Sequence, residues 1–205
     1  MITNILVGVT ILISYLVWEK GFGLITKWSH YPYREVRFKE WGRLVSSGFL
    51  HGSWNHLLIN MFVLYQFGQY VESYFVYRFD KMEGSIIFLS LYLSSVIVSN
   101  IGTLFKHRNN QSFTSVGASG ATSSMVMIYT LFQPWQMFLF PPVPAVLFAI
   151  LYIGYSTWAS KNRNDHIDHQ AHLWGTCYGF LFMMVIDPPV IALFYDQLTH
   201  IPWLN

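Results

Sequence analysis

Six stretches of this chain run for 17 to 21 residues without a single Asp, Glu, Lys or Arg: 2–18, 54–71, 85–105, 117–133, 142–159 and 170–186. About 20 consecutive apolar residues match the hydrocarbon thickness of a bilayer, so runs of this kind predict membrane-spanning helices. The second run can extend to residue 77, with Glu72 near its end. Several runs are short for a full span, which implies tilt or local thinning of the lipid. Composition agrees: 53% of residues are hydrophobic and only 11% charged, whereas soluble domains carry about a quarter charged residues. The expected fold is an all-α membrane protein, a six-transmembrane-helix bundle forming one domain over residues 1–205, with both ends of the chain on the same side.

The remaining segments bound the function classes. The net charge is +2 and the basic residues never form a run, which argues against nucleic acid as a partner. The first apolar run has no basic segment before it and no small-x-small cleavage pattern after it, so it reads as a retained helix rather than a signal peptide. The one cysteine, Cys177, cannot form an internal disulfide and is expected to pack in the core. After Pro188-Pro189 the tail from about 188 to 205 is too short to cross; it is expected at the interface, anchored by Tyr195 and Trp203. There is no internal repeat, low-complexity segment or second domain.

The longest connection, about 19–53, mixes Trp28, Tyr31, Tyr33, Phe38 and Trp41 with Lys27, Arg34, Arg37, Lys39 and Arg43. Aromatic and basic side chains together suit a partly embedded structure at headgroup level, and a connection this long inside a bundle is usually functional or interfacial. Counting over the six spans, the first, third and fifth loops hold ten Lys and Arg (20, 27, 34, 37, 39, 43, 106, 108, 161 and 163), against Arg78 and Lys81 on the opposite side. The positive-inside rule by itself places the ten-residue side in the cytoplasm.

Polar groups inside spans are costly and mark function. Ser119 opens the fourth span within Gly117-Ala118-Ser119-Gly120-Ala121. The first turn of a helix has N–H groups without intrahelical partners, so an oxyanion formed there meets donors already in place. The same motif also fits a small-residue packing seam with Ser119 as an interhelical hydrogen-bonder. In the sixth span His172 shares a helical face with Gly175 and Gly179. That glycine groove admits a close neighbour. If the neighbour is the helix of Gly120 and Ala121, the imidazole reaches Ser119 and can take its proton; otherwise His172 is a satisfied core histidine.

His56 and Asn60 stand four residues apart on one face of the second span. They are candidate donors to an oxyanion, or equally polar glue between helices. His51 is placed to brace the long loop. No span carries a carboxylate to orient His172, since Asp165 and Asp168 lie in a loop and Asp187 lies about four turns away. The arrangement is therefore a Ser-His dyad rather than a triad. His166, His169 and His172, with His51 and His56, leave a zinc site conceivable, but no H-E-x-x-H motif supports it.

Taken in order, Phe49-Leu50-His51, His56-Leu57-Leu58-Ile59-Asn60, Gly117-Ala118-Ser119-Gly120-Ala121 and Ala171-His172-Leu173-Trp174-Gly175 with Gly179 resemble the rhomboid intramembrane serine proteases over nearly the whole chain. The resemblance implies Ser119 as nucleophile, His172 as general base, and His56 and Asn60 as oxyanion donors beside the Ser119 N–H. It implies hydrolysis of peptide bonds in or next to transmembrane segments of membrane-protein substrates, through an acyl-enzyme and without metal or cofactor. It also implies a membrane-embedded first loop set among lipids, a fifth span acting as substrate gate, and the loop after it as cap. It further implies a bacterial inner-membrane setting with the active site opening outward, against the Lys/Arg count. Two positions depart from the pattern. Ser123 stands where some members carry a tyrosine stacked on the histidine, and the aromatic–arginine pair of the first loop is Trp41-Gly42-Arg43. Two other classes remain open: a catalytically silent relative that binds membrane helices, and a small channel or transporter with His56, Asn60 and His172 lining a pore.

Overall fold

The computed structural model describes residues 1–21, 23–139, 141–163 and 167–202. Each uncharged run is a helix: α1 (Ile2–Glu19), α5 (Trp54–Phe79), α6 (Lys81–His107), α7 (Ser119–Phe132), α8 (Ala145–Asn162) and α9 (His169–Ile186). The first connection holds three short helices, α2 (Gly23–Trp28), α3 (Pro32–Phe38) and α4 (Arg43–Ser46), then a 3₁₀ turn over Ser47–Phe49. The tail forms α10 (Pro189–Thr199), which turns 115° from α9. Pro188 and Pro189 enforce that break, because proline cannot supply the N–H that a continuing helix needs. Trp203, Asp165 and His166, named above, lie outside the described residues.

The fold is all-helical and its apolar helices form a membrane bundle. By length and hydropathy, α1 and α6 are each able to cross a bilayer, and α9 with α10 passes as a third, bent segment. The 14-residue α7 is packed on all sides: α5, α6, α8, α9 and α10 all touch it. Its inner residues Ala121, Met125, Ile128 and Leu131 are fully buried. They meet Leu57, Leu64, Val71 and Phe75 of α5, Phe88, Leu91 and Val96 of α6, and Met183 of α9 in one core.

The outer helices are inside-out relative to a soluble protein. In α1 the buried residues are Thr3, Leu6, Thr10 and Ser14, while Ile5 is 63% and Leu12 55% exposed. On α8, Leu147, Ile150, Leu151 and Trp158 face outward. Hydroxyls buried and aliphatic side chains displayed is the pattern expected where lipid is the solvent, because lipid gives no reason to hide a leucine. Cys177 departs from expectation: it is exposed. It lies two residues from Gly175, about 200° around the helix and so on the face turned away from α7.

Candidate active site

Ser119 is the first residue of α7, and α7 begins without a side-chain cap. By contrast Ser53 caps α5, Asp80 caps α6 and Asp168 caps α9, each through its own side chain. The unpartnered N–H groups of the first turn of α7 are thus left open toward the Ser119 hydroxyl. The backbone enters this turn through Gly117, whose φ of +135° suits glycine, and a Cβ there would lie 2.7 Å from the His56 ring. Gly117 therefore allows the chain to pass against His56 while turning into α7.

Helices α7 and α9 meet backbone to backbone. A Cβ on Gly175 would sit 2.1 Å from the Gly120 carbonyl oxygen, and one on Gly179 would sit 2.6 Å from that of Ser124. A Cβ on Gly120 would strike the Ser99 side chain of α6 at 2.2 Å. Ala121 is fully buried at the same seam, and Ser124 Oγ donates to the Gly175 carbonyl at 2.6 Å. Ser119 and His172, each next to this contact, both line a cavity of about 1120 Å³. His56 and Asn60 line it too, as do Ile59 and Val63 of α5 and Phe148 and Tyr152 of α8. Its rim includes Lys106, Asn110 and Arg163, all exposed, so it opens on the side of the third and fifth loops. Among the described residues the Ser119 hydroxyl forms no hydrogen bond.

The flanking polar residues are engaged. Asn60 donates its amide to the His56 carbonyl at 2.9 Å and accepts from Thr122 Oγ1 at 3.3 Å. The Ala118 N–H donates to His51 Nε2 at 3.4 Å, so Nδ1 carries the hydrogen and faces Ser14 Oγ of α1 at 3.2 Å. Burial, followed by the nearby His56, pushes His51 down to about 3, so it stays neutral and its Nε2 can accept. His51 therefore ties α1 to the residue just before Ser119, a wider role than bracing the long loop.

Asp168 is the connector that sequence reasoning left in a loop. It caps α9 by accepting from the Ala171 N–H at 3.0 Å, and it takes the hydroxyls of Thr103 at 2.8 Å and Ser115 at 3.0 Å. Ser115 in turn pairs with His30 of the first loop through two backbone bonds of 3.0 Å. One carboxylate thus joins α6, the approach to α7, and the start of α9. Its spacing four residues before His172 was the available signal.

One more residue was missed. Tyr152 of α8 lies parallel to the His172 ring at 5.8 Å, tilted 22°, and its hydroxyl is 2.9 Å from Ser123 Oγ. In the first loop, Arg43 bonds the carbonyls of Thr26 and Ser29 at 2.9 and 3.1 Å and the Glu40 carboxylate at 2.6 Å. Despite the glycine at 42, Arg43 knits that loop together. Among the described residues no group of three or more His, Cys, Asp or Glu is arranged to hold a metal ion.

A bundle of apolar helices thus encloses one cavity that both the Ser119 hydroxyl and the His172 imidazole line. The rhomboid-domain family profile matches residues 39–188, and this chain belongs to the rhomboid family. It is 30% identical over 142 residues to "Putative rhomboid protease YdcA" of Bacillus subtilis, covering 69% of this chain and 65% of that protein. It is 29% identical over 169 residues to "Rhomboid-like protein 11, chloroplastic" of Arabidopsis thaliana, covering 73% and 54%. It is 27% identical over 154 residues to "Rhomboid protein 1, mitochondrial" of Saccharomyces cerevisiae, covering 72% and 42%. The matches thus span about two-thirds or less of these relatives' lengths.

Proposed function

We propose that this chain is an intramembrane serine endopeptidase, a six-span bundle that cuts peptide bonds in or next to transmembrane segments of membrane proteins. The observation that carries the reading is Ser119 at the uncapped start of α7, sharing one cavity with His172 beside the closest contact of α7 and α9.

In this reading Ser119 Oγ attacks the scissile carbonyl while His172 accepts its proton. The oxyanion is met by the Ser119 N–H, with His56 and the second amide hydrogen of Asn60 as further donors. The imidazolium then returns the proton to the departing amine, leaving an ester on Ser119. Water from the loop side of the cavity hydrolyses that ester, with His172 again as base. Ring and hydroxyl close up when substrate binds, as catalytic hydrogen bonds commonly do. Asp168 is spent on three other donors, which fits a dyad. No metal or cofactor enters the scheme.

A helical substrate must unwind to expose its carbonyl, so Gly or Pro near the cut lowers the barrier. Gly117, Gly120 and Ala121 around the nucleophile favour a small side chain before the scissile bond. The setting we propose is a bacterial inner membrane, with the cavity facing outward and the first loop among lipid headgroups. Incubating the purified chain in detergent with tagged single-span proteins tests the reading. Wild type cleaves at least one of them; Ser119→Ala inserts and folds but cleaves none. Turnover retained in Ser119→Ala refutes it.

A further inference from the structure

On the rhomboid reading the plane of the His172 imidazole matters, because a base must lie within about 3 Å of the proton it takes. Helix α8 supplies rings on one face: Phe148, Tyr152 and Tyr155 follow each other at i, i+4 and i+7. Phe148 stacks on Tyr152 at 5.6 Å and 15°. Tyr152 stacks on His172 at 5.8 Å and 22°. His169 meets the His172 ring edge-on at 6.0 Å and 85°, and His169 is met in turn by Tyr155 at 5.4 Å and 86°. The imidazole is thus gripped on its face from α8 and at its edge from its own helix.

The tyrosine is itself anchored, and the donor order can be assigned. Ser123 Oγ donates to the Ser119 carbonyl at 2.7 Å, so at 2.9 Å it accepts from the Tyr152 hydroxyl. One side chain therefore touches both halves of the dyad: its ring lies on the imidazole, and its hydroxyl reaches the backbone of Ser119 through Ser123. A residue that merely filled space would need neither bond. An aromatic face also favours the imidazolium that forms when the serine proton is taken.

We propose that Tyr152 is a positioning residue for His172, so that α8, which lines the cavity, also holds the catalytic base in register. The ring does the orienting, held by its stack on Phe148, and the Ser123 bond adds to that anchoring. Displacing α8 would carry this brace away from His172 while leaving the α7–α9 seam intact.

The inference rests on the proteolytic reading, and the test separates the two. Cleavage of a tagged single-span substrate is measured for wild type, Tyr152→Leu and Tyr152→Phe, with the ring signals of His172 followed by NMR in ¹⁵N-histidine-labelled protein. Tyr152→Leu is expected to lose about tenfold in kcat with KM within about twofold, since an oriented aromatic contact is worth roughly that factor. Its His172 signals split or broaden as the ring samples several orientations. Tyr152→Phe keeps the stack, so its kcat stays within about threefold of wild type and its His172 signals stay single. If Tyr152→Leu does not fold, Tyr152→Met takes its place.

Wild-type kcat and sharp His172 signals in the leucine or methionine variant overturn the proposal. So does a loss carried by KM, or a phenylalanine variant as impaired as leucine. If wild type neither cleaves nor reacts at Ser119, the proteolytic reading fails, and the NMR signals alone decide the role of Tyr152.

Discussion

His51 shows how one buried side chain fixes the geometry beside Ser119. Its Nε2 must stay unprotonated to accept from Ala118, and burial holds its pKa near 3. A histidine whose folded pKa lies below its unfolded value near 6.5 contributes stability that is whole above pH 6.5 and lost as pH falls from there toward 3. By pH 5 this linkage costs about 2 kcal/mol. Thermal unfolding of wild type and His51→Gln at pH 7 and pH 5 should therefore show the gap between them shrinking at pH 5. A gap that stays constant would mean that His51 does not titrate in this way. Glu40 works oppositely: the Arg34 guanidinium, with Arg43, holds it down to about 2, so it remains an anion that ties the two arginines together.

Two element contacts set where the functional residues stand. The α7–α9 seam tolerates only glycine at 175, because an added Cβ meets the Gly120 carbonyl, a backbone atom that cannot swing aside. Gly175→Ala is expected to cost about 1–3 kcal/mol and to force the helices apart. In a cleavage assay on refolded protein it should lower turnover, with Gly175→Ala reading worse than Gly154→Ala, where a Cβ meets open space. Helix α1 is held at its other end by Glu72, whose carboxylate accepts from the N–H of Ile2 at 2.6 Å, and from the N–H and hydroxyl of Thr3 at 2.9 and 2.7 Å. An anion at a helix N-terminus also meets the positive end of its dipole. Glu72→Ala leaves those donors buried and unpaired, so it should cost about 2–3 kcal/mol. The measurement is the unfolding midpoint, with unchanged stability as the contrary result.

Much of this was legible in the primary structure, because a missing charge over 17 or more residues and a fixed order of short motifs are local signals. The six apolar runs became α1, α5, α6, α7, α8 and α9; Gly175 and Gly179 sit where backbone crowds backbone, and Gly117 and Gly120 where the His56 and Ser99 side chains press in. Tyr152 was not legible, since an aromatic in an apolar helix looks the same whether it faces lipid or His172; only the rotation of α8 against α9 decides. Asp168 was hidden for a related reason: its donors Thr103 and Ser115 lie 65 and 53 residues away.

At the scale of the whole molecule, the cavity, the first loop and ten of the twelve Lys and Arg share one side. Two of those ten, Arg34 and Arg43, are tied to Glu40, yet both still count toward a cytoplasmic placement, because the rule counts Lys and Arg rather than net charge. On the far side Asp187 accepts from Arg78 at 3.3 Å and from the Tyr74 hydroxyl. If the proposed orientation holds, Asn110→Cys, at an exposed position of the third loop, is labelled in intact cells by an impermeant maleimide once Cys177 is replaced by serine. Labelling that needs lysed cells would reverse the orientation. The central claim, that His172 activates Ser119 for attack, is tested most directly by treating the purified protein with a fluorophosphonate and locating the adduct by mass spectrometry. The account predicts one adduct on Ser119 that is nearly lost in His172→Ala. An adduct on another serine, or equal labelling without His172, would contradict it.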